Sequence, residues 1–169
     1  MNAGMYEPDR SPVGLFVAAG RTLHPLNQAT GFGNFFLAPN GVFWVDAVGA
    51  AHITETAAYA AGARRPTWAT QSGPLLVEAG RLNPHVAPNG TSLAIRNGVG
   101  VSGGDALFVI SDAPVSFGRL ARFFRDDLGC QDALYLDGSV SGLWSPALHR
   151  LDPTRGLGTF VVVLKRATP

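Results

Sequence analysis

Two side chains carry most of the reactive chemistry that this sequence offers, Asp137 and Arg96. Asp137 ends the apolar run Ala133-Leu134-Tyr135-Leu136, and Gly138, Ser139 and Ser141 follow it closely. A buried-strand pattern that stops on a charge and then bends places a carboxylate at a rim rather than in a core. There it can act as acid, base, nucleophile, metal ligand or ion-pair partner of Arg96. The Arg96 guanidinium has a planar fork that suits phosphate or carboxylate. Polar, glycine-rich corners recur in "NAG" at Asn2, "TQSGP" at Thr70 to Pro74, "RNGVG" at Arg96 to Gly100 and "LDGSVS" at Leu136 to Ser141. Glycine beside Ser, Asn or Arg lets backbone N–H groups approach a ligand oxygen, and such nests favour anions. Each corner alone reads more simply as a turn. Together they imply an anion-friendly pocket without identifying a reaction.

Other chemistry is missing from the sequence. It has no HExxH, no CxxC and no G-x-S-x-G, and its four histidines, His24, His52, His85 and His149, lack metal-ligand spacing. No metal or other cofactor is expected, although a divalent ion at Asp137 is compatible with the residue type. "GFGNFF" carries a GxG, but it precedes an expected strand instead of a helix, which argues against a dinucleotide loop. The single cysteine, Cys130, reads as a small buried apolar group and rules out an intrachain disulfide. Asp46, Asp105 and Asp112 are candidates for a second carboxylate, but turn or capping roles suit them better.

The chain has 169 residues, 46% hydrophobic and 15% charged, enough for one packed domain and too apolar for disorder. A net charge of +1 leaves no nucleic-acid footprint. No window approaches the ~20 apolar residues of a membrane span. The start, "MNAGMYEPDR", has neither the basic nor the apolar region of a signal peptide.

With 21 glycines and 12 prolines, short strands and tight turns are expected. "VGLFVAAGR" reads as a strand and turn, and "GNFFLAPNGVFWVDA" as a hairpin around Pro39-Asn40-Gly41. "HITETAAYAAGA" reads as a helix capped by Thr54 and stopped by Gly62. "TWATQSGPLLVEAGRL" gives a strand, a break, a second apolar run and a turn. "SLAIRNGVGVSGGDALFVISD" gives two strands joined at Ser102-Gly103-Gly104. "SFGRLARFFRDDLGC" is the strongest helix, with Ser116 as cap and Gly129 as its end. "TFVVVLK" is expected as the last strand. The fold class expected is α+β: a single domain, with a mostly antiparallel or mixed twisted sheet and a few helices packed against it. The rings of Phe35, Phe36, Phe43 and Trp44 read as core before they read as an interaction surface.

The same blocks resemble a known family, the phosphodiester glycosidases, over nearly the whole chain. "NAGMY" is similar to its N-terminal Asn-x-Gly block, "QSGPLLVEAGR" to its Ser-Gly-Pro strand and turn, "IRNGVGV" to its Arg block, and "LYLDGSVSGLW" to its Leu-Asp-Gly-Gly-Gly-Ser block. Two departures are Gly-Ser-Val-Ser at Gly138 to Ser141 and Asn97 after Arg96. The resemblance implies a hydrolase of sugar-1-phosphodiesters or related glycosidic bonds. Asp137 and Arg96 would be its catalytic pair. Asn2, Gly4, Gln71, Ser72, Gly73, Asn97, Gly138, Ser139 and Ser141 would line the substrate pocket. A carbohydrate or phosphosugar is then the expected partner. The resemblance also implies a domain over 1–169 that lacks N-terminal strands present in relatives, and a periplasmic or secreted location if a leader lies upstream. The rival reading is a phosphosugar- or anionic-glycan-binding module of the cell envelope that does not cleave.

Overall fold

In the computed structural model, residues 1–138, 140–152 and 156–164 are described. Two five-stranded antiparallel sheets dominate. The first runs β2-β1-β5-β3-β4, built from β1 (Phe16–Ala18), β2 (Arg21–His24), β3 (Gly41–Val45), β4 (Ala51–Glu55) and β5 (Trp68–Ser72). The second runs β7-β6-β10-β8-β9, built from β6 (Leu75–Glu78), β7 (Arg81–Leu82), β8 (Asn97–Ser102), β9 (Asp105–Ile110) and β10 (Asp132–Tyr135). A short pair, β11 (Trp144–Ser145) and β12 (Arg150–Leu151), stands apart. Every described pairing is antiparallel. The expected single sheet is therefore a pair of sheets, and the fold is mainly β within the α+β description.

Alternation explains why two sheets are needed. Leu75, Val99, Leu134 and Leu136 turn to one side and meet Phe43 and Ala51 of the first sheet. A register shift between β6 and β10 at Ala133/Leu134 leaves Leu76 as the extra residue, so that Leu76 and Val77 join Ala133 and Tyr135 against Leu120, Ala121 and Phe124 of helix α2 (Phe117–Arg122) and the turn after it. Helix α1 (Thr56–Ala61) covers the outer face of the first sheet, where Tyr59 packs with Leu15, Val17, Val42 and Ala69. With period two, each central strand buries both faces. The order is helix, sheet, sheet, helix.

Several sequence expectations shift. The Gly33–Ala47 hairpin does not form. Asn34–Phe36 makes a short 3-10 turn instead, and β3 pairs with β4 around Asp46–Ala50. Asp46 is the turn maker: its carboxylate accepts from the N–H groups of Val48 and Ala50, both at 2.9 Å. The stretch 52–55, expected at the start of the helix, is strand, because His52 and Thr54 can pair opposite Trp44 and Val42. The cap of α1 is therefore Glu55, which accepts from Ala58, while Thr54 takes the Trp44 indole N–H at 3.0 Å. Phe35 and Phe43 are core, as the simpler reading of the aromatic runs holds. The expected strand at 159–165 reduces to a bridge between Asn2 and Phe160, flanked by hydrogen bonds Ala3 N–H to Thr159 and Val161 N–H to Met1. Lys165 lies outside the described residues.

The strongest helix is present, with Ser116 accepting from Arg119 N–H at 3.2 Å and Gly129 at φ +64°. Its last turn widens to a π-type turn over Phe123–Asp127. The Phe124 ring lies flat on β8, and this explains the glycines of "RNGVG". A Cβ on Gly100 would meet Cys130 Sγ at 2.5 Å and Phe124 at 2.6 Å, and one on Gly98 would meet Phe124 at 3.1 Å. These glycines admit a helix, not a ligand. Gly100→Val should therefore cost roughly 1–3 kcal/mol by overpacking, read as a lower urea midpoint with an unchanged m-value.

Tyr135 generates a second prediction. It is fully buried, and burial pushes its phenol up to about 12 from 10.0, with the Arg96 charge opposing and the Asp137 charge adding to the rise. The folded state thus favours the neutral phenol. That contribution is complete below pH 10 and is lost as pH rises toward 12. Unfolding free energies measured from pH 9 to 12 should fall by about 2–3 kcal/mol more in the wild type than in Tyr135→Phe.

Candidate active site

The ends of β8 and β10 meet the N-terminal residues, and one side chain joins all three. The Asn97 amide donates to Asn2 Oδ1 at 2.8 Å and to the Asn2 carbonyl at 3.2 Å, while its Oδ1 accepts from Asp137 N–H at 2.8 Å. Asn2 Oδ1 also accepts from Gly142 N–H at 2.9 Å. The Ser141 hydroxyl reaches the Asp137 carbonyl at 2.7 Å and the Ile95 carbonyl at 3.1 Å. The Ser72 hydroxyl donates to the Leu136 carbonyl at 2.6 Å. Asn2, Ser72, Asn97 and Asp137 are all buried, Asp137 at 7% exposure. Among the described residues, Asn2 Nδ2 is a buried donor with no acceptor. An enclosed donor of that kind costs about 1–3 kcal/mol unless something supplies an oxygen.

Arg96 sits beside this lock and is 2% exposed. Its Nε donates to the Val115 carbonyl at 2.8 Å, its Nη2 to the Ser92 carbonyl at 3.0 Å, and its Nη1 to the Tyr135 hydroxyl at 3.3 Å. The guanidinium lies 3.7 Å from the centre of the Phe117 ring. The acceptors supplied by Val115, Ser92 and Tyr135 are all neutral. So Arg96 is not a free fork at a rim. It is a buried charge that donates a hydrogen bond to the Tyr135 hydroxyl. That hydroxyl lies where a Cβ on Gly138 would stand, so only glycine at 138 lets the corner close over the phenol. The Asn34 side chain also approaches the Tyr135 hydroxyl.

The remaining candidates divide. Gly4 donates to Thr70 Oγ1 at 3.1 Å and packs against the Gln71 carbonyl, holding the N-terminal block on β5. Gly73 lies under the Phe35 carbonyl, with no room for a side chain. Gln71 is turned elsewhere: its Oε1 accepts from Leu15 and Asn27 N–H, and its Nε2 donates to the Asn27 carbonyl at 2.6 Å. It braces the strap before Gly31 and does not join Asn97. Ser139 lies outside the described residues. Among the proposed second carboxylates, Asp46 is held by His52 at 3.0 Å, which keeps its carboxyl below the usual range, and Asp112 pairs with Arg150 at 2.7 Å.

Sequence reasoning missed Tyr135, Tyr6 and Asn34. Tyr135 was legible: period two puts it on the same face as Asp137. Tyr6 is not, because a loop brings it within the field of Asp137, whose charge adds to burial in raising the phenol. A separate cavity of about 170 Å³ is lined by Ile53, Thr54, Glu55, Ala58, Leu75, Glu78 and Asp132. It shares no residue with the Arg96–Asp137 corner.

The chain is 40% identical over 147 residues to the uncharacterized protein YigE of Escherichia coli (strain K12), covering 85% of this chain and 56% of that protein. The chain thus spans little more than half the length of that curated relative. The solved catalytic domain of zebrafish N-acetylglucosamine-1-phosphodiester alpha-N-acetylglucosaminidase, auto-inhibited by its pro-peptide, shares the fold with a TM-score of 0.54 at 14% identity. That match covers 81% of this chain and 49% of the zebrafish one. The model of the phosphodiester glycosidase family matches residues 1–163, and the chain belongs to that family.

Proposed function

We propose that the chain is a glycosidase-type hydrolase that cleaves a sugar-1-phosphodiester or a related glycosidic linkage in a glycan. The observation that supports this reading is the buried Arg96 guanidinium, joined by a hydrogen bond to Tyr135, whose hydroxyl lies under Gly138 next to Asp137. Burying a cation is costly, and an anionic group brought beside it offsets that cost. Family membership supports the reaction class. The name of the zebrafish structural neighbour describes a sugar-1-phosphodiester substrate for that protein.

The chemistry asks little of a general acid. The bond between the anomeric carbon and the phosphate oxygen breaks, and the phosphomonoester leaves with the electron pair. Water supplies the new hydroxyl at the anomeric carbon, and its proton passes to the leaving group or to solvent. Charge gathers on the departing phosphate, to which the Tyr135 hydroxyl, polarised by Arg96, would donate once the Gly138 corner opens to substrate. Asp137 stands where it would stabilise the oxocarbenium-like sugar, attack it or activate the water. The Asn2 amide would donate to a substrate oxygen.

A second reading is a binding module that holds a phosphosugar without cleaving it. The engagement of the Arg96 donors by Val115 and Ser92 favours it, since a fixed charge suits recognition as well as catalysis.

Asp137→Asn should lower kcat on hexose-1-phosphate methyl esters by roughly a hundredfold or more with little loss of stability. Tyr135→Phe, which keeps the ring, should lower it by about tenfold to a hundredfold. Full turnover in both variants would sink the assignment. Ligand-induced thermal stabilisation with no turnover in the wild type would select the binding module.

A further inference from the structure

The Gly-Phe-Gly of residues 31–33 remains unexplained by the hydrolase reading. Phe32 is wholly exposed, at 101%, in an exposed turn whose far end is anchored by Phe35. Phe35 is 2% exposed and meets Phe36 edge to face at 5.0 Å. Gly31 lies against the Phe36 ring, 2.8 Å from where its Cβ would stand. The Asn34 side chain approaches the Tyr135 hydroxyl, and the carbonyls of Asn34 and Phe35 rest on Gly73. Gly73 follows Ser72, whose hydroxyl holds the Leu136 carbonyl immediately before Asp137. The base of this arm is therefore part of the wall of the Arg96–Asp137 corner. Phe32 is two residues from Asn34, so its backbone lies within roughly 7 Å of that wall.

The backbone turns sharply just after the ring. Gly33 has φ 94° and ψ 174°, a region that essentially only glycine occupies. No atom lies within 4 Å of the position of a Cβ there, so the demand for glycine is conformational and not steric. A glycine-only turn beside an anchored aromatic pair leaves one phenyl ring in water, two residues from the Asn34 side chain that reaches Tyr135.

We propose that Phe32 is a substrate-binding platform, stacking on the apolar face of a sugar ring whose phosphodiester lies at the Arg96–Tyr135–Asp137 corner. This inference rests on the hydrolase reading above. A sugar ring presents axial C–H groups on one face, and a phenyl ring covers them well. The ring loses exposed apolar area only when ligand is present, so its contribution appears as affinity and not as stability.

The test compares wild type, Phe32→Ala, Phe32→Trp and Gly33→Ala on methyl esters of glucose-1-phosphate and N-acetylglucosamine-1-phosphate, reading Kd by calorimetry, KM and kcat, and Tm. Phe32→Ala should raise Kd and KM by roughly five- to thirtyfold, with kcat within about twofold and Tm unchanged. Phe32→Trp should restore affinity. Gly33→Ala, which re-aims an intact ring, should raise KM as Phe32→Ala does. Unchanged Kd and KM in Phe32→Ala, alongside lost turnover in Asp137→Asn, would overturn the platform and leave the hydrolase reading standing. A wild type that neither binds nor cleaves either ester would overturn both.

Discussion

The Asn97 side chain is the interaction on which the rest of the corner depends. Its three hydrogen bonds tie the end of β8 to Asn2 and to the backbone of Asp137. Asn2 in turn is laced to Gly142 and lies in the short ladder that residues 1–3 form with 159–161. Segments far apart in the sequence thus meet at one amide. Inside a low-dielectric core such bonds stiffen one another, and a half-satisfied network would be costly. The orphan Nδ2 of Asn2 is the one donor left over among the described residues. Its cost is of the kind that folds retain where a ligand completes the set.

The second constraint is the burial of a cation between aromatic rings. Arg96 lies over Phe117 and reaches Tyr135, and both rings are presented by elements that must approach closely. Gly98 and Gly100 remove side chains from β8 so that Phe124 can bring α2 down onto the sheet. That approach carries Phe117 to Arg96. Packing on the outer face of the second sheet therefore sets the charge that the proposed chemistry uses. The link runs from glycine spacing in a strand to helix seating to an oriented guanidinium.

Much of this was legible in the sequence, for identifiable reasons. Asp137 was expected at a rim because an apolar run ends on it; it is instead buried, at 7% exposure, with its backbone N–H held by Asn97. The cap at Ser116 and the turns at Gly73-Pro74 and Gly103-Gly104 are local chemistry, and they stand where the residue types put them. What failed depended on distant partners. "HITE" looks helical beside its alanines, yet it is strand because β3 offers a pairing edge. The glycines of "RNGVG" looked like an anion nest until α2 was seen above them. Gln71 looked like a pocket residue, but its partners are 44 and 56 positions away and could not be read locally. The match of Tyr135 and Asp137 on one face was available from strand periodicity.

The most direct test of the central claim is amide chemical-shift mapping with a non-hydrolysable methyl phosphonate analogue of a hexose-1-phosphate. The account predicts perturbations centred on Asn2, Arg96, Asn97, Tyr135, Asp137 and Gly138, with Phe32 and Gly33 following. Perturbations centred instead on the cavity of Glu55, Glu78 and Asp132, with the Asn97 amide unmoved, would contradict it.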